Sequence, residues 1–495
     1  MSVVLEINHL SIIKKNLEKT VLVNDLHFKI MQGQSLVLLG ETGSGKSLTA
    51  LSIMRLLPKD LLVHAESEIL LEGHSLLQLP EIKMQAVRGK KIAMIFQDPS
   101  SSLNPVMTIG KQIEEAFPKR LWFSKCDLKK SVLSLLAQVE MSNAASIYDA
   151  YPHQLSGGMK QRVMIAMALA NDPALLIADE ATSALDVINQ QQILRLLKSL
   201  QAQRKMSILL ITHDLKIAEK MADTVVIMRA GRLIAQKDPY HQTLFNAKTE
   251  EVLQEIPSDT ETVLSIRDLS LKLSTKQVLN KVSFDLKAGE TVAIIGGSGS
   301  GKTTLLKAMM GFLRNIQGEV FLTQPLQMIF QDPLAAMDPH WSIKEILLEG
   351  MLSLGIGSSD DEREERLQYL LKEVGLPDTY VTRYPHELSG GQRQRVCIAR
   401  ALAVAPKILI CDEPTSSLDH AVQVQILDLL IRLQNELEIS YVIVTHDMNV
   451  VRAVAHRVIV LQEGSIVEFG AVSEILKNPK HSYTQALIGA SSLDL

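Results

Sequence analysis

Short apolar runs recur along this chain in two matching series. SLVLLG (35–40), ALLIA (174–178) and SILLIT (207–212) are answered by TVAIIG (291–296), ILIC (408–411) and YVIVT (441–445). Runs this short, without polar alternation, read as strands buried on both faces of a parallel sheet. LTALSIMRLL after Ser47 and TLLKAMMGFL after Thr303 have helical periodicity instead. Buried strands alternating with helices predict an α/β fold, written twice.

The blocks around these runs repeat in one order. GETGSGKS (40–47) returns as GGSGSGKT (296–303), IFQDP (95–99) at 329–333, and YPHQLSGG (151–158) as YPHELSGG (384–391). LLIADEATSALD (175–186) pairs with ILICDEPTSSLD (408–419), and LLITHDL (209–215) with VIVTHDM (442–448). Ser156 to Glu180 and Ser389 to Glu413 both span 24 residues, and Glu180 to His213 and Glu413 to His446 both span 33. Lys46 to Gln97 spans 51 residues whereas Lys302 to Gln331 spans 29, so the second copy lacks a strand-rich excursion there. A repeat this long means two complete domains rather than a solenoid. Residues 246–261, NAKTEEVLQEIPSDTE, are acidic and aperiodic, which predicts domains at 1–245 and 262–495 joined by that linker.

Composition narrows the function classes. Length alone, 495 residues, predicts two to four domains. Fifty-one basic against 55 acidic residues give a formal charge of −4, which argues against a nucleic-acid coat or a polybasic membrane binder. Three widely spaced cysteines, Cys126, Cys397 and Cys411, fit neither a disulfide framework nor a four-cysteine metal site, and point to a reducing compartment. The N-terminus does not read as a secretory signal, and no apolar run approaches the ~18–20 residues that span a bilayer. Any membrane role therefore runs through a partner.

Strand, glycine-rich turn and helix are the context in which GxxxxGK[ST] cradles phosphate. Gly40, Gly43, Ser44 and Gly45, like Gly296, Gly299, Ser300 and Gly301, let backbone N–H groups converge on an anion at a helix N-terminus. Lys46 and Lys302 reach the terminal phosphates, and Ser47 and Thr303 are placed for Mg²⁺. Asp179–Glu180 and Asp412–Glu413 end buried strands, where open α/β sheets bind ligands. In phosphoryl transfer, the first acid of each pair supports the metal and the second orients or deprotonates the attacking water. His213 and His446 read as donors to the terminal phosphate. Gln97 and Gln331 stand out only through the repeat. Ser156-Gly-Gly158 and Ser389-Gly-Gly391 each precede a run of helix formers, giving every half a second anion-binding turn, or at the least a helix N-cap.

In this order the motifs resemble the nucleotide-binding domains of ATP-binding cassette (ABC) transporters over nearly the whole chain. SSLNP after Gln97, YPHxLSGG and the terminal HSYTQALI resemble the oligopeptide, dipeptide and nickel importer branch, particularly its tandem fused ATPases of microcin C and peptide importers. The resemblance implies, in each domain, a RecA-like core, an antiparallel β subdomain, shortened in the second, and a helical subdomain. It implies two ATP·Mg²⁺ sites at a head-to-tail interface of the two halves. One combines Lys46, Ser47, Gln97, Asp179, Glu180 and His213 with Ser389 and Gly391. The other combines Lys302, Thr303, Gln331, Asp412, Glu413 and His446 with Ser156 and Gly158. Gln97 and Gln331 join both the metal and the catalytic sets, and Asp186 and Asp419 cross the interface. The implied activity is ATP hydrolysis driving uptake of a peptide-like solute, at the cytoplasmic face of the inner membrane. The implied partners are two integral membrane permease subunits and an extracytoplasmic solute-binding protein, with no nucleic acid. The alternatives are a soluble tandem ABC ATPase acting on ribosomes or DNA, and an exporter ATPase. The chain departs from the pattern at Leu273 and near Lys14, where an aromatic usually stacks on adenine, at Ala181 for a proline, and at Met159 for a glutamine.

Overall fold

A computed structural model describes residues 2–15, 20–117, 125–183, 185–234, 256–257, 259–273, 276–416 and 418–491. Two compact units divide at 246/247. Most of the expected linker at 246–261 lies outside the described residues.

In the first unit a six-stranded sheet runs in the order Arg232–Ile234, Thr224–Arg229, Ser35–Gly40, Ser207–Thr212, Leu175–Asp179, Ile92–Ile95. All its pairings are parallel except the outermost one, at Arg232–Ile234. The inner strands Ser35–Gly40, Ser207–Thr212 and Leu175–Asp179 are buried along their whole length because both faces are covered. Val37 and Leu39 point into one core, with the helices Gly157–Leu169 and Val187–Arg204, while Leu36 and Leu38 point into another. That second core is closed by the helix Lys46–Ile53 and by an antiparallel sheet of Val3–Lys14, Val21–Met31, Leu61–Val63, Glu68–Leu71 and His74–Ser75. The helices Ile109–Ala116, Lys125–Gln138 and Ala144–Asp149 pack against Gly157–Leu169 and join the first of these cores.

The second unit repeats the plan. Its six-stranded sheet orders Leu326–Ile329, Ile408–Asp412, Ser440–Val444, Thr291–Ile295, Arg457–Gln462 and Ser465–Ala471, antiparallel only at the last. Val292 and Ile294 face the same core as Ile408 and Ile410, and Leu409 and Cys411 face the other. Its antiparallel sheet has three strands where the first unit has five, so the shortened Lys302–Gln331 interval is a lost strand-and-helix excursion. Phe312 and Phe321 stand exposed in this unit. Both described cysteine side chains, Cys397 and Cys411, are free and buried, and burial pushes the Cys397 thiol up to about 11. They are core hydrophobes rather than reactive groups. No helix among the described residues is long and apolar enough to cross a membrane.

Candidate functional site

Each phosphate-loop candidate is the turn between a central strand and the helix it feeds. Gly45 and Gly301, immediately before those helices, have φ of 101° and 105°, a left-handed backbone that glycine adopts without steric cost. A Cβ at Gly45 would meet Val23 Cγ2 at 2.8 Å, and one at Gly301 would meet the Val278 carbonyl oxygen at 2.9 Å. At these two positions the loops are closed to side chains as well as bent. Lys46 Nζ donates to the carbonyl oxygens of Gly40 and Glu41, both at 2.7 Å. Lys302 Nζ does the same to Gly296 at 2.8 Å and Gly297 at 2.9 Å. Each ammonium is thus folded back over its own loop. Ser44 Oγ and Ser300 Oγ are buried inside the two loops without a hydrogen-bond partner. Such atoms are rare, since burying a polar group unpaired costs about 1–3 kcal/mol, and an anion in the cradle would satisfy them.

The carboxylate pairs end the neighbouring strands. Ser47 Oγ donates to Asp179 Oδ1 at 3.1 Å, and Thr303 hydrogen-bonds to Asp412. Asp179 is held above the usual carboxylate range by burial and by the charge of Glu180, against a lowering by Ser47. Asp412 is raised in the same way by burial and Glu413. A buried carboxyl whose ionised form is disfavoured is one that a bound cation would restore.

Glu180 and Glu413 are clasped on both oxygens. Gln97 Nε2 donates to Glu180 Oε2 at 2.9 Å, and His213 Nδ1 lies 3.3 Å from Oε1. Gln331 and His446 make the same contacts with Glu413, at 2.9 Å and 3.2 Å. Burial pushes both glutamates up, but the hydrogen bonds and charges of the histidines outweigh it and leave them below their ordinary value. Burial pushes the histidines down, and their glutamates, with Asp214 and Asp447, leave them raised. Each dyad therefore favours its charged form, carboxylate beside imidazolium.

The backbone of these glutamates is unusual. Both have φ of 46°, a conformation that costs a non-glycine residue about 1–3 kcal/mol and clusters at functional sites. It is held by the adjacent strand and turn: Glu180 N–H donates to Ile211 O at 3.0 Å, and Ser183 Oγ donates to Glu180 O at 3.0 Å. Glu413 is held likewise by Val444 and Ser416. No residue pattern announced this strain.

The serine-glycine turns are helix caps in the structure. Ser156 Oγ accepts from Met159 N and Ser389 Oγ from Gln392 N, both at 3.3 Å. In the second unit Gln392 Oε1 also accepts from Ser389 N at 2.9 Å, completing a capping box that Met159 cannot form in the first. Gly158 and Gly391 are closely packed: a Cβ would meet Asn189 Oδ1 at 2.9 Å and Val422 Cγ1 at 2.4 Å. Asp186 and Asp419 cap the following helices, accepting from Asn189 N and Val422 N at 3.0 Å. Lys160, on the first serine-capped helix, donates to Ser100 Oγ at 3.2 Å, linking that helix to the turn after Gln97. Lys14 and Leu273 are both exposed at strand ends.

Thus hydrogen bonds join Gln97, Glu180 and His213, and separately Ser47 and Asp179, in one unit. Gln331, Glu413 and His446, with Thr303 and Asp412, form the counterpart in the other. Ser156, Gly158, Ser389 and Gly391 lie at helix starts of their own.

A family model described as "ABC transporter" matches residues 23–183 and 279–416. The chain is 42% identical to the peptidoglycan transport ATP-binding protein YejF of Agrobacterium fabrum (strain C58), covering 95% of this chain and 93% of that protein. It is 38% identical to the glutathione import ATP-binding protein GsiA of Escherichia coli (strain K12), covering 96% and 87%. Among solved structures, the complex of archaeal ribosomal stalk protein aP1 and ribosome recycling factor aABCE1 aligns with a TM-score of 0.64 at 20% identity, over 92% of this chain and 88% of the other. At that identity the match speaks for the fold alone.

Proposed function

The chain belongs to the ABC transporter family of ATP-binding proteins, and on that premise we propose that it is the ATPase subunit of an importer for a peptide-like solute. The observation that carries the reading is the pairing of two complete site clusters with near-full-length likeness to proteins named for peptidoglycan transport and glutathione import. The proposed partners are two integral membrane permease subunits and an extracytoplasmic solute-binding protein, with the chain on the cytoplasmic face of the inner membrane.

In the proposed mechanism the loop amides and the ammonium of Lys46 or Lys302 bind the phosphates of ATP. Ser47, Asp179 and Gln97, and their counterparts Thr303, Asp412 and Gln331, would hold Mg²⁺, which supplies neutralising charge on the phosphates when bound. Glu180 and Glu413 take the proton of the attacking water, since each carboxylate oxygen accepts one hydrogen bond and keeps a further lone pair for it. His213 and His446, as donors, reach the terminal phosphate. Gln97 and Gln331 sense the same change from the strand end they occupy, next to the DP turns that would carry it to a permease.

Each site is completed, in this reading, by the other half: Ser389 and Gly391 at the Lys46 site, Ser156 and Gly158 at the Lys302 site. Asp186 and Asp419 would cross the interface while keeping their caps. With Glu413→Gln present, so that only the Lys46 site turns over, Ser389→Arg is expected to remove the remaining hydrolysis. With Glu180→Gln present instead, Ser389→Arg leaves it largely intact. An isolated first half hydrolysing as fast as the full chain would sink the pairing.

The importer reading is tested by affinity capture of the chain from detergent-solubilised membranes. Two integral membrane proteins should accompany it in stoichiometric amounts. Recovery with ribosomes or DNA and without membrane subunits would overturn it.

A further inference from the structure

The two phosphate loops differ at one residue in a way that changes their stiffness. The first begins Gly40-Glu41 and the second Gly296-Gly297. In both, the carbonyls of these two residues hold the lysine. A Gly-Gly peptide has more backbone freedom than Gly-Glu, so the second loop needs an external restraint to present the same two carbonyls.

The structure supplies one. Gly297 N–H donates to the Tyr483 hydroxyl at 2.6 Å, a contact between residues 186 apart. Tyr483 opens the helix Ser482–Ser491, and its mount is firm. Glu468, on the edge strand Ser465–Ala471, accepts from Lys480 N at 2.8 Å and His481 N at 3.2 Å, fixing the turn before the helix. Tyr483 N in turn donates to His481 Nδ1 at 3.2 Å, while Thr484 and Leu487 are buried beneath. The chain of contacts runs from sheet edge to turn to tyrosine to loop.

The tyrosine is not repeated at the same spacing in the first half. Gly231 and Gly464 correspond, since each donates its N–H to the serine of its own loop, Ser44 at 3.1 Å and Ser300 at 2.8 Å. Nineteen residues beyond Gly464 is Tyr483, whereas nineteen beyond Gly231 is Glu250, which lies outside the described residues.

We propose that Tyr483 is a positioning residue for ATP binding at the second phosphate loop alone, its hydroxyl restraining the Gly296-Gly297 peptide that holds Lys302. The two ATP sites are then unequal by construction: one loop is stiffened by having Glu41 in place of a glycine, the other by the helix Ser482–Ser491. The inference rests on the reading of the Lys302 loop as an ATP site.

The test uses the full chain and a fluorescent ATP analogue, MANT-ATP. Lys302→Ala alone should first remove one of two bound nucleotides; if it does not, the reading of that loop fails before Tyr483 is at issue. In a Lys46→Ala background, Tyr483→Phe, which removes only the hydroxyl, is expected to weaken binding about 3- to 10-fold, the range of one net hydrogen bond. In a Lys302→Ala background the same substitution should change nothing, which also reports that the protein remains folded. Adding Gly297→Ala, which stiffens the peptide as Glu41 does in the sister loop, should recover most of the loss. Unchanged binding in the Lys46→Ala background, equal weakening at both sites, or a loss that Gly297→Ala does not recover would each overturn the proposal.

Discussion

Glu180→Gln together with Glu413→Gln is expected to lower ATP hydrolysis by about 10²- to 10⁴-fold, the usual contribution of a positioned base, while ATP still binds at both loops. The substitution preserves the shape of the side chain and its capacity to accept from Gln97 and Gln331, which now donate to it at 2.9 Å. It removes the negative charge that raises His213 and His446 against their burial. Those imidazoles should then titrate lower, as burial alone would have them. Nuclear magnetic resonance titration of the histidines and steady-state phosphate release would report the two effects separately. Near-normal turnover in the double variant would end the assignment of these glutamates as bases. A loss of binding as large as the loss of turnover would show that they act in holding the nucleotide.

The lysines should show the opposite split. Lys46→Ala and Lys302→Ala remove a buried or half-buried ammonium already oriented by two carbonyls. A charge-assisted hydrogen bond contributes about 1.5–3 kcal/mol, so each site should lose about 10- to 150-fold in ATP affinity at about 1.4 kcal/mol per tenfold. Binding stoichiometry by equilibrium dialysis should fall from two to one in each single variant at intermediate ATP, and to none in the double. Both single variants should keep the unfolding temperature close to that of the parent, since a lysine pointing at its own loop carries little of the core. Two nucleotides retained at undiminished affinity would show that the loop amides alone suffice.

Much of this protein was legible from letters and spacing. Strands such as SLVLLG are continuous apolar runs because both faces are covered, so periodicity alone marked the two sheets, and the positions of Asp179 and His213 at strand ends and of Lys46 at a helix start followed. The shorter Lys302–Gln331 interval likewise announced the antiparallel sheet that has three strands instead of five. Other features stayed silent. The left-handed backbone of Glu180 and Glu413 is imposed by Ile211, Ser183, Val444 and Ser416, and glutamate itself has no preference for it. That Gln97 closes on a carboxylate 83 positions away depends on strands Ile92–Ile95 and Leu175–Asp179 lying side by side, which the order of the motifs does not state.

The sequence by itself determined the duplication, the α/β class and the residues that meet at the strand ends of each unit, because those reside in local spacing and in the alternation of buried runs. Tertiary structure alone decided which side chain occupies which oxygen of the glutamates, where the backbone is strained, and that Tyr483 reaches Gly297. These are contacts between segments brought together only when the sheet order is set, and a hydrogen bond a few ångströms long leaves no periodic trace in the chain that forms it.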